Sequence, residues 1–520
     1  MTKVVIDPIT RIEGHLRITC EVENGVVKDA WNTATMFRGF EIFMKGRDPK
    51  GIWQFAQRIC GVCPTPHAFN SVRAVETALG MDKVPDSARI VRNMMEAAQL
   101  AYDHVLWFYH LNGFDYVNVP NTLNAKAATP GLKAVQDQVK AVVESGQLGP
   151  FANMYWDHPG YMLPAELDLE ITAHYLQALE IQQKACDASA MLGGRYPMIN
   201  NYVPGGVTQM PSIEDIEYYV SQMSMVKDFI DTVMLPDLLA IAPYYLDLAS
   251  YGKGVGNFLS WGVLDEKSQD PYDRLFPRGG IFDGKLELQK VSLEDTRQYT
   301  KTSWFGDGVG AGKHPLNVGQ EPIEFTNLPP IEGEAFPQGK YDWTQAVRYG
   351  TEDRPMEVGP LAQVLIAYLA GRPEAKKLVD DTLAAVGHAG DPTVLLSNLG
   401  RVAARVIKAK INSDNAIRWA EELLANIGKG ETTVYEELDF TKTGTGQSGW
   451  DAPRGALAHY TKLSDSKVDT YAAVPPSNWN LSPRDDKGVR GPVEEALVGT
   501  PVADPEKPLE ILRTVHAFDP

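Results

Sequence analysis

The chain has 520 residues, a formal charge of −18 and four cysteines, with 44% hydrophobic and 22% charged residues. That is about three or four domains' worth of chain, with ample material for a large core. The acidic balance leaves no basic stripe for a nucleic acid, the cysteines make no disulfide framework, and no apolar run reaches the length of a transmembrane helix.

Val4-Val5-Ile6 is too short for a signal-peptide core. The first 35 residues read as β: Leu16–Val22 alternates, Asn24-Gly25 supplies a hairpin turn, and Val26–Trp31 returns. Cys20 lies within that alternation and reads as a buried strand cysteine. From Ile52 the period becomes helical. Asp86-Ser87 can cap a long helix with Ile90, Met94, Ala97, Ala101, Val105 and Phe108 on one stripe. A second helix is predicted over Pro164–Leu192, where Cys186 falls among small packing residues. Pro211-Ser212 opens a third, with Asp215 completing a capping-box variant. Leu235–Ala249 is the stretch nearest to a membrane span, but Asp237 and Asp247 interrupt it. Residues 250–350 are rich in Gly, Pro and Asp, with strand-like pieces such as Gly284–Leu288. A fourth helical region covers 360–427, broken near Gly371 and from Gly387 to Pro392. Residues 453–474 form a hairpin around Ser464-Asp465-Ser466.

The expected fold is α+β and predominantly helical, one compact unit over 1–520 with a central bundle of long helices. Its parts are an N-terminal β region (1–49), a motif and long-helix bundle (50–250), an irregular α+β insertion (251–355) and a last segment of helices and a hairpin (356–520).

The strongest local signal is Arg58-Ile59-Cys60-Gly61-Val62-Cys63-Pro64-Thr65-Pro66-His67. Two thiolates at this spacing can reach one metal, Gly61 permits the bend, and Arg58 and His67 would lower the thiol pKa values. Three other readings stay open. The pair could be half of a zinc cage completed by Cys20 and Cys186, a redox pair, or two ordinary buried cysteines.

Other segments narrow the choice. Asp7-Pro8-Ile9-Thr10-Arg11-Ile12-Glu13-Gly14-His15 crowds five ionisable groups into nine residues. Arg38-Gly39-Phe40-Glu41 precedes the cysteines, Asp451-Ala452-Pro453-Arg454-Gly455-Ala456 lies far downstream, and Arg513–Pro520 ends the chain. Together these segments, from Asp7 to Pro520, resemble the large subunit of a NiFe hydrogenase.

The resemblance implies reversible heterolytic cleavage of H2 to protons and electrons. Cys60 matches a terminal nickel ligand, and Cys63 a sulfur bridging nickel and iron. The iron of that centre carries CO and CN ligands supplied by maturation proteins. Arg454 and Ser477, with Pro453 beside the first, match the groups that receive cyanide, and Asp103 and Asp519 would hold the arginine. Asp103 begins Asp103-His104-Val105-Leu106-Trp107-Phe108-Tyr109, in which Trp107 replaces the family's second histidine. Glu13 matches the proton acceptor, although a salt bridge with Arg11 is as good a reading of spacing alone. His67 would lie near the first iron–sulfur cluster of an obligate small subunit, and Glu41 matches a ligand of a magnesium or iron ion near the C-terminus.

The family's C-terminal motif is D-P-C-x-x-C-x-x-H, and this chain stops at Asp519-Pro520. Three readings fit: a UGA codon read as a stop in a NiFeSe hydrogenase with selenocysteine next, a cut sequence, or a protein that has lost the motif. The codon after 520 would decide. The alternative function is a non-catalytic homologue resembling the quinone-site subunit of complex I, with a zinc-binding structural protein third. The resemblance to the uptake group suggests a periplasmic protein that reaches the membrane through partners only, though a cytoplasmic one is also compatible.

Overall fold

Asn24 and Gly25 both take positive φ (52° and 71°), which joins Leu16–Glu23 to Val26–Ala34 by the two-residue turn their sequence predicts. Thr2–Ile6 adds a third antiparallel strand that was not predicted. The computed structural model describes residues 2–152, 154–306, 309–318 and 339–520. It is a mixed helix and sheet protein, 48% helical and 17% strand, so helix outweighs strand without excluding it.

Helix Asp86–Leu106 carries the predicted stripe fully into the core. Its cap differs from expectation. Pro85 holds the N-cap position, and the Asp86 carboxylate instead accepts from Arg89 Nε (2.8 Å) and Asn426 Nδ2 (3.0 Å). The Ser87 hydroxyl donates to the Glu431 carbonyl at 2.5 Å. These bonds tie the helix to the long helix Asn398–Lys429. The two run antiparallel: Asp86 meets Asn426, Ala97 O accepts from Asn412 Nδ2 at 2.8 Å, and His104 meets Arg405.

Helix Ala165–Gly193 packs against Asp86–Leu106. Helix Ile213–Phe229 starts at the predicted capping box, with Ser212 and Asp215 each bonding the other's backbone amide. The helical run Ile213–Ala249 is long and apolar enough to cross a membrane, with mean hydropathy 1.3 in its best window. Ile216, Tyr219, Met223 and Val226 pack it into the protein core instead. Pro130–Ser145 is an additional helix, lying on the surface with no buried residue.

The predicted insertion holds two small sheets. Phe258–Ser260, Gly279–Phe282 and Lys285–Gln289 form one, and Thr296–Tyr299 with Ala346–Tyr349 forms the other. Residues 319–338 of it lie outside the described residues.

Near the C-terminus, Gly455–Ser464 and Lys467–Val474 make the predicted hairpin. A strand ahead of them, Gly444–Ala452, completes a three-stranded meander. Its glycines hide it from a propensity reading, yet they are required by packing. A Cβ on Gly446 would stand 2.0 Å from the Ala74 carbonyl oxygen of helix Pro64–Ala78. That contact sets the helix following the cysteines directly on the meander.

Candidate metal centre

Cys60 leaves a 3-10 turn over Gln57–Ile59, and Cys63 stands at the N-terminus of helix Pro64–Ala78, with Pro64 in the first turn. The turn between them puts both sulfurs side by side, 2.6 Å apart and buried, as free cysteines. Contact with Cys60 and then burial raise the Cys63 thiol well above its ordinary value, and Arg454 is the cation that opposes them. This corrects the expectation for Arg58 and His67. Arg58 turns away to donate to the Gln54 carbonyl. His67 is pushed down to about 3 by burial, so its ring is neutral.

Arg454 occupies the two-residue turn between strands Gly444–Ala452 and Gly455–Ser464, with Pro453 buried beside it. The turn presses onto the loop at Gly359, where a Cβ on Gly455 would come within 2.3 Å of the Gly359 nitrogen. The guanidinium is braced by Asp103 (Nη1 to Oδ2, 3.4 Å) and Asp519 (Nη2 to Oδ1, 2.9 Å). All three are at most 3% exposed. Burial pushes Asp103 up to about 6 against the pull of Arg454. Asp519 sits at φ 54°, a conformation an aspartate tolerates at some cost.

Three supports escaped the sequence reading. Arg405 pairs with the second Asp519 oxygen at 2.9 Å. Trp107 explains its own departure from the family pattern: Arg405 lies 4.4 Å over its ring, and its indole donates to the His516 carbonyl at 3.0 Å. His516 in turn bonds Asp115 (2.7 Å), which also takes Arg11 at 2.6 Å. The only advance signal was Arg401, Arg405 and Lys408 at helical spacing on a stripe that is otherwise core.

Arg11 therefore has a partner other than Glu13. Glu13 Oε1 instead accepts the Gly61 amide (3.2 Å) inside the cysteine turn, and the Glu13 amide donates to the Pro520 carbonyl (3.2 Å). Glu13 is half-buried, so it touches both the cysteine turn and solvent.

Burial alone would raise Asp115, but Arg11 and His516 hold it down to about 2. Its folded value is thus below the unfolded one near 4. About 2 kcal/mol of stability is expected to be present above pH 4 and to be lost as the pH falls from 4 toward 2. Denaturant unfolding of Asp115→Asn should lack that acid-dependent loss. An identical pH dependence in the variant would refute the assignment.

His67 Nδ1 meets His459 Nε2 at 3.1 Å, and His459 Nδ1 meets the Tyr471 hydroxyl at 2.5 Å. Glu41, on the short helix Phe40–Met44, is raised by burial, and the Ala473 backbone amide lowers it. Ser477 lies on helix Pro476–Asn480, where Asn480 clamps Val358 through its N–H (3.0 Å) and carbonyl (2.9 Å). Val358 adjoins Gly359, the residue the Arg454 turn presses on, so the short helix that carries Ser477 and the Arg454 turn pack on the same loop. Cys20 is fully buried in its strand, as expected, and Cys186 is half-buried on its helix. The zinc cage is not formed, since no group of three or more His, Cys, Asp or Glu converges among the described residues.

Two buried thiols beside an arginine braced by carboxylates make a compact donor set of the kind a soft metal ion would take. Soft sulfurs suit nickel and iron, and Arg454 Nε and Asp103 Oδ1 are buried with no hydrogen-bond partner among the described residues.

The chain belongs to the nickel-dependent hydrogenase family, whose profile matches residues 38–520, while a HoxL-like profile matches 3–34. It is 39% identical to the hydrogenase-2 large chain of Escherichia coli K12, over 100% of this chain and 96% of that one. It is 37% identical to the uptake hydrogenase large subunit of Rhizobium leguminosarum bv. viciae, covering 94% of it. The Ni-Fe-Se hydrogenase of Desulfovibrio vulgaris Hildenborough superposes with a TM-score of 0.83 at 32% identity, over 100% of this chain and 98% of that chain. The protein is a hydrogenase large, catalytic subunit: an oxidoreductase acting on H2, with a nickel–iron centre and a small-subunit partner. The reading as a non-catalytic homologue is not favoured.

Proposed function

We propose that Cys60 and Cys63 ligate a nickel–iron centre whose iron carries CO and CN, and that Arg454, Pro453 and Ser477 line the space for those diatomic ligands. One observation carries this reading: Arg454 is fixed between Asp103 and Asp519 within the charge field of both cysteines. When bound, the centre supplies the splitting of hydrogen. Everything else is done by the chain. Arg454 presents a rigid fork of donors in a water-poor site, where charge-assisted bonds are strong. Asp103 and Asp519 orient the fork, and Arg405 holds Asp519. Glu13 would accept a proton at the cysteine turn, an O–H bond forming on its carboxylate as an S–H bond of a cysteine thiol there breaks, and would then release it to solvent water.

Electrons would leave through a small subunit carrying iron–sulfur clusters. Met36, Ile42 and Phe55, all in the segment that precedes the cysteine pair, are exposed apolar side chains that such a partner could cover. His67 would face its first cluster, and Glu41 would hold a magnesium or iron ion. Maturation proteins would load the diatomic ligands. Likeness to uptake hydrogenase large subunits supports a periplasmic placement, with membrane contact through partners.

Elemental analysis with infrared spectroscopy of the purified enzyme tests the reading. Nickel together with iron, and bands of CO and CN, are expected. Zinc alone, or no metal with an intact fold, would refute it.

A further inference from the structure

Inside the cysteine turn, the Gly61 amide donates to Glu13, and the Cys63 amide donates to Cys60 Sγ at 3.0 Å. The Val62 carbonyl between them accepts Gln99 Nε2 at 2.9 Å. Val62 C=O and Cys63 N–H are the two ends of one planar peptide group. Gln99 and the Cys60 sulfur therefore stand at opposite ends of a single hydrogen-bonded line.

Gln99 is 0% exposed and lies on helix Asp86–Leu106, one turn before Asp103. Residues four apart share a helix face, so the helix that braces Arg454 also holds the cysteine turn. The side-chain amide fits in one orientation. Its Oε1 accepts the Thr65 hydroxyl at 3.2 Å and the Tyr196 hydroxyl at 3.4 Å. Turned over, it would set Oε1 against the Val62 carbonyl, two acceptors with no hydrogen between them. Thr65 stands in the first turn of helix Pro64–Ala78, two residues after Cys63. The turn and the start of its helix are thus joined to the same amide.

We propose that Gln99 is a positioning residue that tunes the Cys60 sulfur, and through it the metal centre, by way of the Val62–Cys63 peptide. A donor on a peptide carbonyl polarises the group and strengthens the N–H at its other end. A thiolate that receives a stronger N–H bond gives less charge to its metal. Hydrogen bonds to sulfur are a general lever on the potential of metal–thiolate centres. Gln99 itself touches neither sulfur, so it acts by orienting and polarising the peptide that does. This role rests on Cys60 being a metal ligand, and it names the group that sets the donor strength of that ligand.

The test uses the whole heterodimer with its metals. Gln99→Met fills nearly the same volume and keeps no donor. Nickel and iron content, the infrared bands of CO and CN, and the midpoint potential from an infrared-monitored redox titration are compared with the parent. The variant is expected to keep both metals and to shift the CO band to lower frequency. Its potential should fall by the equivalent of about threefold to tenfold in the equilibrium constant, about 30–60 mV for one electron. A metal-loaded Gln99→Met with the parent bands and potential overturns the proposal, as does a shift the other way. If that variant fails to assemble, Thr65→Val decides, because it removes one of the hydroxyls that pin Oε1 and leaves the Val62 bond in place. Its band and potential should move in the same direction by a smaller amount, and unmoved values overturn the proposal. Failure of the metal-ligand reading would look different: the parent protein itself would carry no nickel and show no CO band.

Discussion

Replacing Glu13 by Gln is expected to lower hydrogen oxidation and H/D exchange by about a hundredfold or more, with nickel and iron still bound. The amide keeps the shape of the carboxylate but cannot take a proton. Its carbonyl oxygen can still accept the Gly61 amide, the bond that Glu13 makes inside the cysteine turn. Arg11 is committed to Asp115, so the substitution breaks no ion pair with it. The loss should therefore fall on proton transfer and spare stability. Parent rates in a metal-replete variant would remove Glu13 from the proton path.

Arg454→Leu should cost both stability and activity. The guanidinium is almost fully buried between Asp103 and Asp519, and Arg405 would remain for Asp519 alone. Asp103 would be left without its cation, a loss of about 3–5 kcal/mol for a broken buried pair. Its carboxyl, already raised to about 6, would rise further and stay protonated at neutral pH. Turnover should fall about a hundredfold to a thousandfold with the loss of preorganised donors. Arg454→Lys keeps the charge but not the planar fork, so it should restore stability more than turnover. Thermal unfolding and hydrogen oxidation measured on the same preparations check the split. A stable, active Arg454→Leu enzyme would contradict the bracing geometry.

Much of the site was legible because its carriers sit in short local patterns. The cysteine pair announces itself by spacing, whereas Arg454 and Asp519 are reached through the likeness of their short segments to the hydrogenase family. The capping box at Ser212 and the hairpin at Asn24-Gly25 are legible, like the cysteine pair, as local patterns. What sequence reading missed depends on distant partners. Arg405 acts on Asp519, and His516 and Arg11 meet on Asp115, across separations of about a hundred to several hundred residues. No local period encodes such pairs. Arg58 shows the opposite error: it is near the cysteines in sequence, but its side chain turns away. Strand Gly444–Ala452 was missed because glycine disfavours strands on propensity, whereas close helix packing demanded it here.

The separation between the cysteine turn and the Arg454 turn also matters for biosynthesis. Nearly 400 residues lie between Cys63 and Arg454. At about 5–20 residues per second, a ribosome needs roughly 20 s or more to deliver the arginine after the thiols emerge. Through that interval the nascent thiols have neither their cation nor the meander that packs on their helix. The long-range closure that joins them is also slow by topology. A sulfur pair exposed for that long is open to any thiophilic ion or oxidant it meets, a hazard that ends only when the distant arginine turn closes over it.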